Sequence, residues 1–240
     1  MILKKLIVIG ASSGIGREIV CKYAESDWKV GITGRRENLL LELKEAYPHQ
    51  VSIASFDVAG SDNIEKISSI IEELGGLDLL IYNAGYGNPS LILDTESEMK
   101  TVRTNVDGFT EIVSYVFNYF VQKGSGQIAV TSSVAGIRGG SWSPAYSASK
   151  AFMSNYAEGL NIKAHKLKKD IVVTDIRPGF LDTKPDKGHG RFWISSKEKA
   201  ATQIINAIEA RKRVAYVSRR WWLIGQLLKI LPYKIYRRFG

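Results

Sequence analysis

Short apolar runs alternate along almost the whole chain with amphipathic segments of helical length. Seven runs of strand length, rich in Val and Ile, are separated by six helical segments. Strands that are apolar on both faces and separated by helices are typical of a parallel sheet covered on both sides, with right-handed crossovers. The pattern predicts one α/β domain, doubly wound, with a mostly parallel seven-stranded sheet. The predicted helices are Ile15–Ala24, Asn38–Ala46, Ile64–Leu74, a long one near Met99–Val121, Tyr146–Leu167 and Lys197–Ala210.

A glycine-rich turn, GASSGIG, joins the first predicted strand to the first helix. Its glycines permit a tight turn and a close approach of the backbone to a pyrophosphate, whose charge the helix N-terminus stabilises. Because the turn lies inside a βαβ unit, dinucleotide binding is favoured over a merely structural turn. The fold is therefore expected to be Rossmann-like, and the cofactor contacts are assigned to Gly10, Ser12, Ser13, Gly14, Ile15 and Gly16.

The second predicted strand ends in Arg35 and Arg36, where NAD-specific folds usually carry an acid that holds the ribose 2′-hydroxyl. Two guanidinium groups suit a 2′-phosphate instead, and Arg17 could add to the field, so NADP(H) is favoured. The alternative is a solvated arginine pair. At the end of the third strand, Asp57 and Val58 could bracket the adenine, although Asp57 could equally cap the next helix.

Tyr146 and Lys150 lie four positions apart in a predicted helix, so both functional groups face the same side. A free tyrosine has a pKa of about 10 and is a poor base unless a nearby cation stabilises its phenolate. Lys150 can supply that charge. Ser133 follows an apolar strand, which puts its hydroxyl at the carboxyl edge of the sheet, where parallel-sheet enzymes hold their chemistry.

Together these motifs resemble the short-chain dehydrogenase/reductase family, from about residue 4 to about residue 217. Five features agree in order and spacing, whereas a lone Tyr-x-x-x-Lys would be weak. They are Gly10, Gly14 and Gly16; Asn83-Ala84-Gly85; Asn105; Ser133 with Tyr146 and Lys150; and Pro178-Gly179 followed by Thr183.

The resemblance implies a catalytic tetrad working beside a bound nicotinamide. Tyr146 would exchange a proton with the carbonyl or alcohol oxygen as hydride moves to or from its carbon, and Ser133 would hydrogen-bond that oxygen. Lys150 would lower the pKa of Tyr146 and bind the nicotinamide ribose. Asn105 would hold a water that links Lys150 to bulk solvent.

The resemblance also implies further cofactor contacts. Asn83-Ala84-Gly85 is similar to the family's turn beside the adenosine ribose, and Pro178-Gly179 with Thr183 to the segment that fixes the nicotinamide. Two positions depart from the family pattern: Ile9 replaces a usual Thr and Tyr82 a frequent Asn. Both positions mainly brace the sheet, so the departures put local bracing in doubt rather than chemistry.

Apolar residues near the predicted tetrad favour a hydrophobic ketone or secondary alcohol, lipid- or sterol-like, over a sugar. They are Ser90–Leu93, Trp142 and Phe180. The alternative from another class is a non-catalytic dinucleotide sensor or membrane-associated scaffold on the same fold. Such relatives are expected to lose the tyrosine or the lysine, and both are present here. The three histidines have no partners at ligand spacing, so no metal is expected.

The positive charge lies almost wholly in the last thirty residues. The net charge is +9, and residues 211–240 hold nine cations and no carboxylate, so the other 24 cations balance 24 anions. Because these cations alternate with a hydrophobic helical pattern and no known module appears, a nucleic-acid partner is not expected. A single cysteine and the lack of a cleavable signal peptide predict a cytoplasmic protein, and a location at the membrane surface stays open.

The C-terminal segment 219–240 reads as a basic amphipathic extension of a dinucleotide-binding and catalytic domain over residues 1–218. Pro232 ends its helix, and the apolar stretch is shorter than the about 20 residues that a membrane span needs. Its wide apolar face indicates an interface. Three occupants remain open: the substrate region of the same chain, a second subunit in a homodimer or homotetramer, or the surface of an anionic membrane.

Overall fold

The protein forms a seven-stranded, fully parallel sheet in the strand order β3-β2-β1-β4-β5-β6-β7. This computed structural model describes residues 3–182 and 193–238. The strands are β1 (Lys5–Ile9), β2 (Lys29–Gly34), β3 (Val51–Ser55), β4 (Leu79–Tyr82), β5 (Ser125–Thr131), β6 (Asp170–Pro178) and β7 (Val214–Val217). The predicted doubly wound α/β fold is confirmed.

Nine α-helices are found in the described residues, and five of them match predicted helices to within a few positions. The helices are α1 (Gly14–Ala24), α2 (Glu37–Ala46), α3 (Asn63–Leu74), α4 (Thr95–Val102), α5 (Gly108–Lys123), α6 (Pro144–Lys166), α7 (Lys197–Glu209), α8 (Trp221–Ile230) and α9 (Tyr233–Tyr236). The long helix predicted near Met99–Val121 is interrupted by a π-helical turn, Arg103–Asp107, which separates α4 from α5.

Two apolar cores cover the two faces of the sheet. Because successive side chains of a strand point to opposite faces, Ile7 and Ile9 belong to one core while Leu6 and Val8 belong to the other. Helices α3, α5 and α6 supply the first core, and α1, α2 and α7 supply the second. The burial of both faces is the reason why the strand sequences are apolar throughout rather than alternating.

The direction of the strand order reverses at β1, which pairs with β2 on one side and with β4 on the other. In open parallel sheets, ligands bind outside the carboxyl ends of the strands at such a switch point. The glycine turn after β1 and the Asn83-Ala84-Gly85 segment after β4 lie on either side of it. The fold therefore puts the predicted dinucleotide site at the crevice between these two segments.

The C-terminal segment folds back on the domain as α8 and α9, separated at Pro232 as predicted. Helix α8 contacts β7 and the short 3-10 turn Val134–Ile137 that follows Ser133. In the part of the chain that the structure describes, no helix is long and apolar enough to cross a membrane. The division of the chain at residue 218 stays a prediction.

Candidate active site

The glycine turn is in close contact with the segment that follows β4. Gly10 and Gly14 have φ values of +84° and +59°, a region that favours glycine. A Cβ atom on Gly10 would lie 2.7 Å from the backbone nitrogen of Ala84, and one on Gly16 would lie 2.1 Å from the carbonyl oxygen of Gly10. No larger residue fits at either position. The turn is therefore a cradle of bare backbone at the start of α1, as a pyrophosphate requires.

Asn83 links the ends of three neighbouring strands. Its Nδ2 donates to the carbonyl oxygen of Gly10 at 3.2 Å, and its Oδ1 accepts from the Thr131 hydroxyl at 3.2 Å. These bonds tie the carboxyl ends of β1, β4 and β5 together. In this structure the Asn83 side chain thus braces the crevice, and its predicted proximity to the adenosine ribose stays a prediction.

Arg36 reaches from the end of β2 to the glycine turn. Its Nη2 donates to the hydroxyl groups of Ser12 and Ser13 at 2.8 and 2.6 Å. Arg35 lies beside Asp57 at 3.5 Å, with about half of each side chain exposed. Arg17 is directed elsewhere, because its guanidinium pairs with Glu42 at 3.0 Å. In this structure Arg17 therefore connects α1 to α2, and its expected contribution to a phosphate field stays a prediction.

Asp57 and Val58 both make contacts within the fold after β3. Asp57 Oδ1 accepts from the backbone nitrogen of Ala59 at 3.1 Å, which stabilises a local turn. It does not cap α3, whose N-cap residue is Asp62. The carbonyl oxygen of buried Val58 accepts from Asn63 Nδ2 at 3.0 Å. The contacts of Asp57 and Val58 with adenine remain predictions.

Ser133 and Tyr146 meet at the carboxyl edge of the sheet. The Ser133 hydroxyl lies close enough to the phenol of Tyr146 to lower its pKa, and Ser133 Oγ accepts from the backbone nitrogen of Ala135 at 3.1 Å. The first turn of α6 is held by Glu98, whose carboxylate accepts from the Ala145 nitrogen at 2.9 Å. Because this bond satisfies a free N–H at the helix start, it fixes the helical turn that carries Tyr146.

Lys150 is buried one helical turn beyond Tyr146, 3% exposed. Its Nζ donates to the carbonyl oxygen of Thr131 at 2.7 Å. Burial lowers the pKa of Lys150 to about 8, while the carboxylate of Asp175 acts in the opposite direction. This group thus changes its charge close to physiological pH.

The pKa of Tyr146 differs from the expectation. Burial raises it, and the hydrogen bond from Ser133 opposes this effect. Lys150 does not lower it in this structure, where the ammonium group is bonded to Thr131 and lies 5.7 Å from the centre of the tyrosine ring. The lowering expected beside a bound nicotinamide stays a prediction. A neutral phenol is the form that can donate a proton.

Asn105 lies at the centre of the π-helical turn and is fully buried. Its Oδ1 accepts from the Tyr86 nitrogen at 2.8 Å, and its Nδ2 donates to the Tyr86 carbonyl oxygen at 2.8 Å and to Ser149 Oγ at 2.9 Å. A Cβ atom on Gly85 would lie 3.3 Å from Lys150 Nζ and 3.5 Å from Asn105 Oδ1, so the two side chains converge there. The relay water assigned to Asn105 stays a prediction.

Tyr82 supplies its own bracing at the position where the family often has Asn. Its buried hydroxyl donates to the carbonyl oxygen of Thr104 at 3.1 Å, within the π-helical turn that carries Asn105. Its ring packs edge-to-face on Phe109 at 5.2 Å. The departure from the family pattern therefore replaces one brace by another.

Gly179 follows β6 and contacts the C-terminal helix. Its nitrogen donates to the Val217 carbonyl oxygen at 2.6 Å, and a Cβ atom on it would lie 2.0 Å from Trp221 Nε1. Pro178 is the last residue of β6, and its carbonyl oxygen lies 3.4 Å from Ser133 Oγ. Thr183, the third residue predicted to contact the nicotinamide, lies outside the described residues.

Two features near the site were not predicted from the sequence: Gly87 and the pair of Asp175 and Arg177. Gly87 lies against Tyr146, and nothing in its sequence context distinguishes it from an ordinary loop glycine. Asp175 is buried in β6, where it pairs with Arg177 at 2.6 Å and accepts a short hydrogen bond from Ser132. An acid and a base two positions apart in an otherwise apolar strand share one face, and this pattern could have indicated the pair.

Metal chemistry finds no support among the described residues, which contain no cluster of three or more His, Cys, Asp or Glu side chains able to hold an ion. The glycine cradle, the serine hydroxyls and the two arginines instead fit a phosphorylated dinucleotide. Beside them lies a Ser-Tyr-Lys constellation with a neutral phenol. The fold and site define a dinucleotide-dependent oxidoreductase.

Comparison with known proteins identifies the family. The profile of the short chain dehydrogenases matches residues 4–191. An uncharacterized oxidoreductase of Mycobacterium tuberculosis is 28% identical over 250 aligned residues, which cover 99% of this chain and 97% of the relative. The glucose 1-dehydrogenase of Gluconobacter oxydans is 31% identical over 194 residues, 75% of this chain and 73% of the relative. The chain belongs to the short-chain dehydrogenase family.

Solved structures show the same fold. A short-chain dehydrogenase/reductase from Burkholderia phymatum in complex with NAD has a TM-score of 0.84 at 19% identity, covering 94% of this chain and 92% of its own. ElxO with NADP bound has a TM-score of 0.79 at 21% identity, covering 90% of this chain and 97% of its own. The fold thus occurs with either nicotinamide dinucleotide.

Proposed function

We propose that this protein interconverts a hydrophobic ketone and its secondary alcohol with NADP(H). The observation that carries the proposal is the proximity of Ser133 and Tyr146, one turn from buried Lys150, at the sheet edge beside the glycine cradle. Acid–base, carbonyl-orienting and cationic groups are needed together for this reaction.

Each residue has a separate task in the proposed reaction. A bound nicotinamide supplies the hydride for reduction and accepts it in oxidation. Ser133 donates a hydrogen bond to the carbonyl oxygen, and Tyr146 transfers its phenolic proton to that oxygen. In the reverse direction Tyr146 takes the proton back.

Lys150 and Asn105 support Tyr146 in this proposal. The Lys150 ammonium binds ribose hydroxyls and stabilises the phenolate that proton transfer leaves behind, so it lowers the tyrosine pKa when the complex is formed. Asn105 holds the Tyr86 backbone against the site and orders the water through which Lys150 exchanges protons with solvent. The convergence of Lys150 and Asn105 on Gly85 supports this pairing.

The preference for NADP(H) rests on the end of β2. Arg36 already faces the serine hydroxyls of the glycine turn, and Arg35 is half exposed beside it. No carboxylate stands at this point of the sequence to receive a ribose 2′-hydroxyl. Two guanidinium groups favour a 2′-phosphate through charged, bidentate hydrogen bonds. The binding of NADP by ElxO, a protein of the same fold, is compatible with this preference.

Exposed apolar side chains near the tetrad favour an apolar substrate. Leu91, Ile92 and Leu93 are well exposed, as is Trp142. The loop that carries them is tied to the Trp142 segment, since the Ser90 nitrogen donates to the Trp142 carbonyl oxygen at 2.7 Å. Trp142 stands four positions before Tyr146. Apolar side chains at the mouth of a site favour substrates that bury hydrocarbon surface.

The test is NADPH oxidation by the full chain against ketones of increasing apolar size, with a sugar lactone as the polar reference. We expect kcat/KM to rise with apolar size and to fall by about 10²–10⁴ in Tyr146→Phe, which keeps the ring but loses the proton. Tyr156→Phe, in the same helix, serves as the control. Binding of NADPH without any turnover across the panel would favour the alternative, a non-catalytic sensor or scaffold.

A further inference from the structure

The C-terminal segment has one side that is fully engaged by the domain. Trp221 packs against Gly179 and lies edge-to-face with Phe180 at 5.2 Å. A Cβ atom on Gly225 would lie 2.8 Å from the ring of Tyr216 and 3.0 Å from Ile137. This side of α8 therefore has no room for another partner.

The other side of α8 is mainly apolar and exposed. At about 100° per residue its four large apolar side chains lie within a sector of about 140°, which they share with the partly buried Gln226. The apolar face consists of Trp222, Leu223, Leu227 and Ile230, which are 51%, 61%, 50% and 78% exposed. Tyr233 and Ile235 of α9 are also exposed and follow directly. An exposed and mainly apolar surface of this kind marks an interaction site.

Cations flank the apolar face, and the segment has no acid to neutralise them. They are Arg219, Arg220, Lys229, Lys234, Arg237 and Arg238, all of them exposed. Among the described residues, none of these six forms an ion pair with a carboxylate. An apolar face bordered by cations is complementary to an anionic bilayer, where the side chains enter the headgroup region and the cations meet lipid phosphates.

Contacts within the chain itself fix the position of α8 on the domain. Arg138 Nη1 donates to the carbonyl oxygens of Leu228 and Leu231 at 3.0 and 2.8 Å, which satisfies the C-terminal end of α8 and opposes its dipole. The Arg138 guanidinium also lies 4.5 Å from the ring centre of Tyr236, whose hydroxyl donates to the Gly139 carbonyl oxygen at 2.6 Å. The face is therefore preorganised, which reduces the entropic cost of docking.

We propose that residues 219–238 dock this protein on the surface of an anionic lipid bilayer, with the apolar face of α8 inserted at the headgroup level. A second copy of the chain fits less well. A twofold interface is self-complementary, so it would bring six cations against the same six, and residues 211–240 offer no carboxylate between them. The anchor Arg138 lies five positions after Ser133, so docking would hold the membrane close to the proposed site.

The experiment is co-sedimentation of the full chain with phosphatidylcholine vesicles, with and without phosphatidylglycerol. We expect binding to the anionic vesicles that weakens as salt rises, because surface charge is screened. Leu223→Ser with Leu227→Ser should reduce partitioning by about tenfold or more, and Arg219→Gln with Arg220→Gln should reduce it only on anionic vesicles. Leu41→Ser with Ile64→Ser, two exposed positions on α2 and α3, should not change it.

Circular dichroism and light scattering on each variant separate docking from misfolding and from self-association. Failure of the folded wild type to bind anionic vesicles would overturn the proposal. So would a wild-type dimer that the Leu223→Ser, Leu227→Ser variant converts to a monomer, because the apolar face would then belong to a second copy. Neither outcome depends on the ketone reductase activity, since binding is measured without substrate or cofactor.

Discussion

The backbone of Gly87 lies directly against the ring of Tyr146. A Cβ atom on Gly87 would be 2.5 Å from Cδ2 and 2.9 Å from Cγ of that ring. Such distances are below van der Waals contact, so a side chain here must displace either the ring of Tyr146 or the loop that carries Gly87. Gly87 is therefore a positioning residue for the proposed acid.

Gly87→Ala should reduce kcat for ketone reduction by about tenfold or more, because a displacement of about 1 Å at the reacting group can cost two orders of magnitude. The affinity for NADPH should change little. Gly139→Ala is the matched control, since a Cβ atom there meets nothing within 4 Å. Unchanged kcat in Gly87→Ala would mean that the loop yields and that Gly87 has no positioning role.

Arg35 and Arg36 should determine cofactor choice. Arg35→Ala should weaken NADPH binding by about tenfold or more and leave NADH binding unchanged, because it removes a charged partner of the 2′-phosphate alone. Arg36→Ala should also disturb the glycine turn, whose serines it contacts. Fluorescence titration with NADPH and with NADH measures these affinities. Arg211→Ala, which removes an exposed cation paired with Asp170 at the amino edge of the sheet, is the control, and equal wild-type affinities for the two cofactors would contradict the preference.

The pH dependence of ketone reduction should follow the protonation of Lys150. Because burial lowers the pKa of Lys150 to about 8, its positive charge is complete below that pH and is lost above it. We expect kcat/KM for ketone reduction to decline as pH rises through about 8. Asp175 raises the pKa of Lys150, so Asp175→Asn should move this decline to lower pH.

Asp170→Asn is the control for this shift, because Asp170 is an exposed carboxylate at the start of the same strand. Circular dichroism checks that Asp175→Asn still folds after Arg177 loses its partner. If the pH profile of kcat/KM in Asp175→Asn equals that of the wild type, Asp175 does not affect the pKa of Lys150.

The burial of the Lys150 ammonium group should lower the free energy of unfolding. In the unfolded chain it keeps its proton up to a pKa of 10.5, whereas in the folded protein it loses the proton at about 8. The penalty is therefore complete below pH 8 and disappears as pH rises towards 10.5. Lys150→Met should raise the free energy of unfolding by about 1–2 kcal/mol near pH 7, after the loss of the bond to Thr131, and abolish activity.

Denaturant unfolding at pH 7 and pH 10 measures this effect, and the difference between Lys150→Met and the wild type should shrink at the higher pH. Lys163→Met, an exposed lysine of the same helix, should show no such dependence. A Lys150→Met protein that is less stable at pH 7 would mean that the lysine's hydrogen bonds outweigh its burial.

Local and periodic features of the chain were enough to predict the doubly wound sheet. Apolar strands reveal their burial on both faces, and a glycine turn between β1 and α1 has few structural solutions. The family pattern identified Ser133, Tyr146 and Lys150 because their spacing depends only on one helix and the end of one strand.

Other properties depend on contacts between residues far apart in the chain, which no local pattern encodes. Gly87 meets Tyr146, Arg17 pairs with Glu42, and the environment of Tyr146 raises its pKa although a lysine lies one turn away. The amphipathic pattern of the C-terminal helix predicted an interface, but only the packing of Trp221 and Gly225 on the domain showed which side is occupied. Periodicity describes what a helix can bury, whereas the tertiary structure decides which side is buried, because that depends on the shape of the surface it meets.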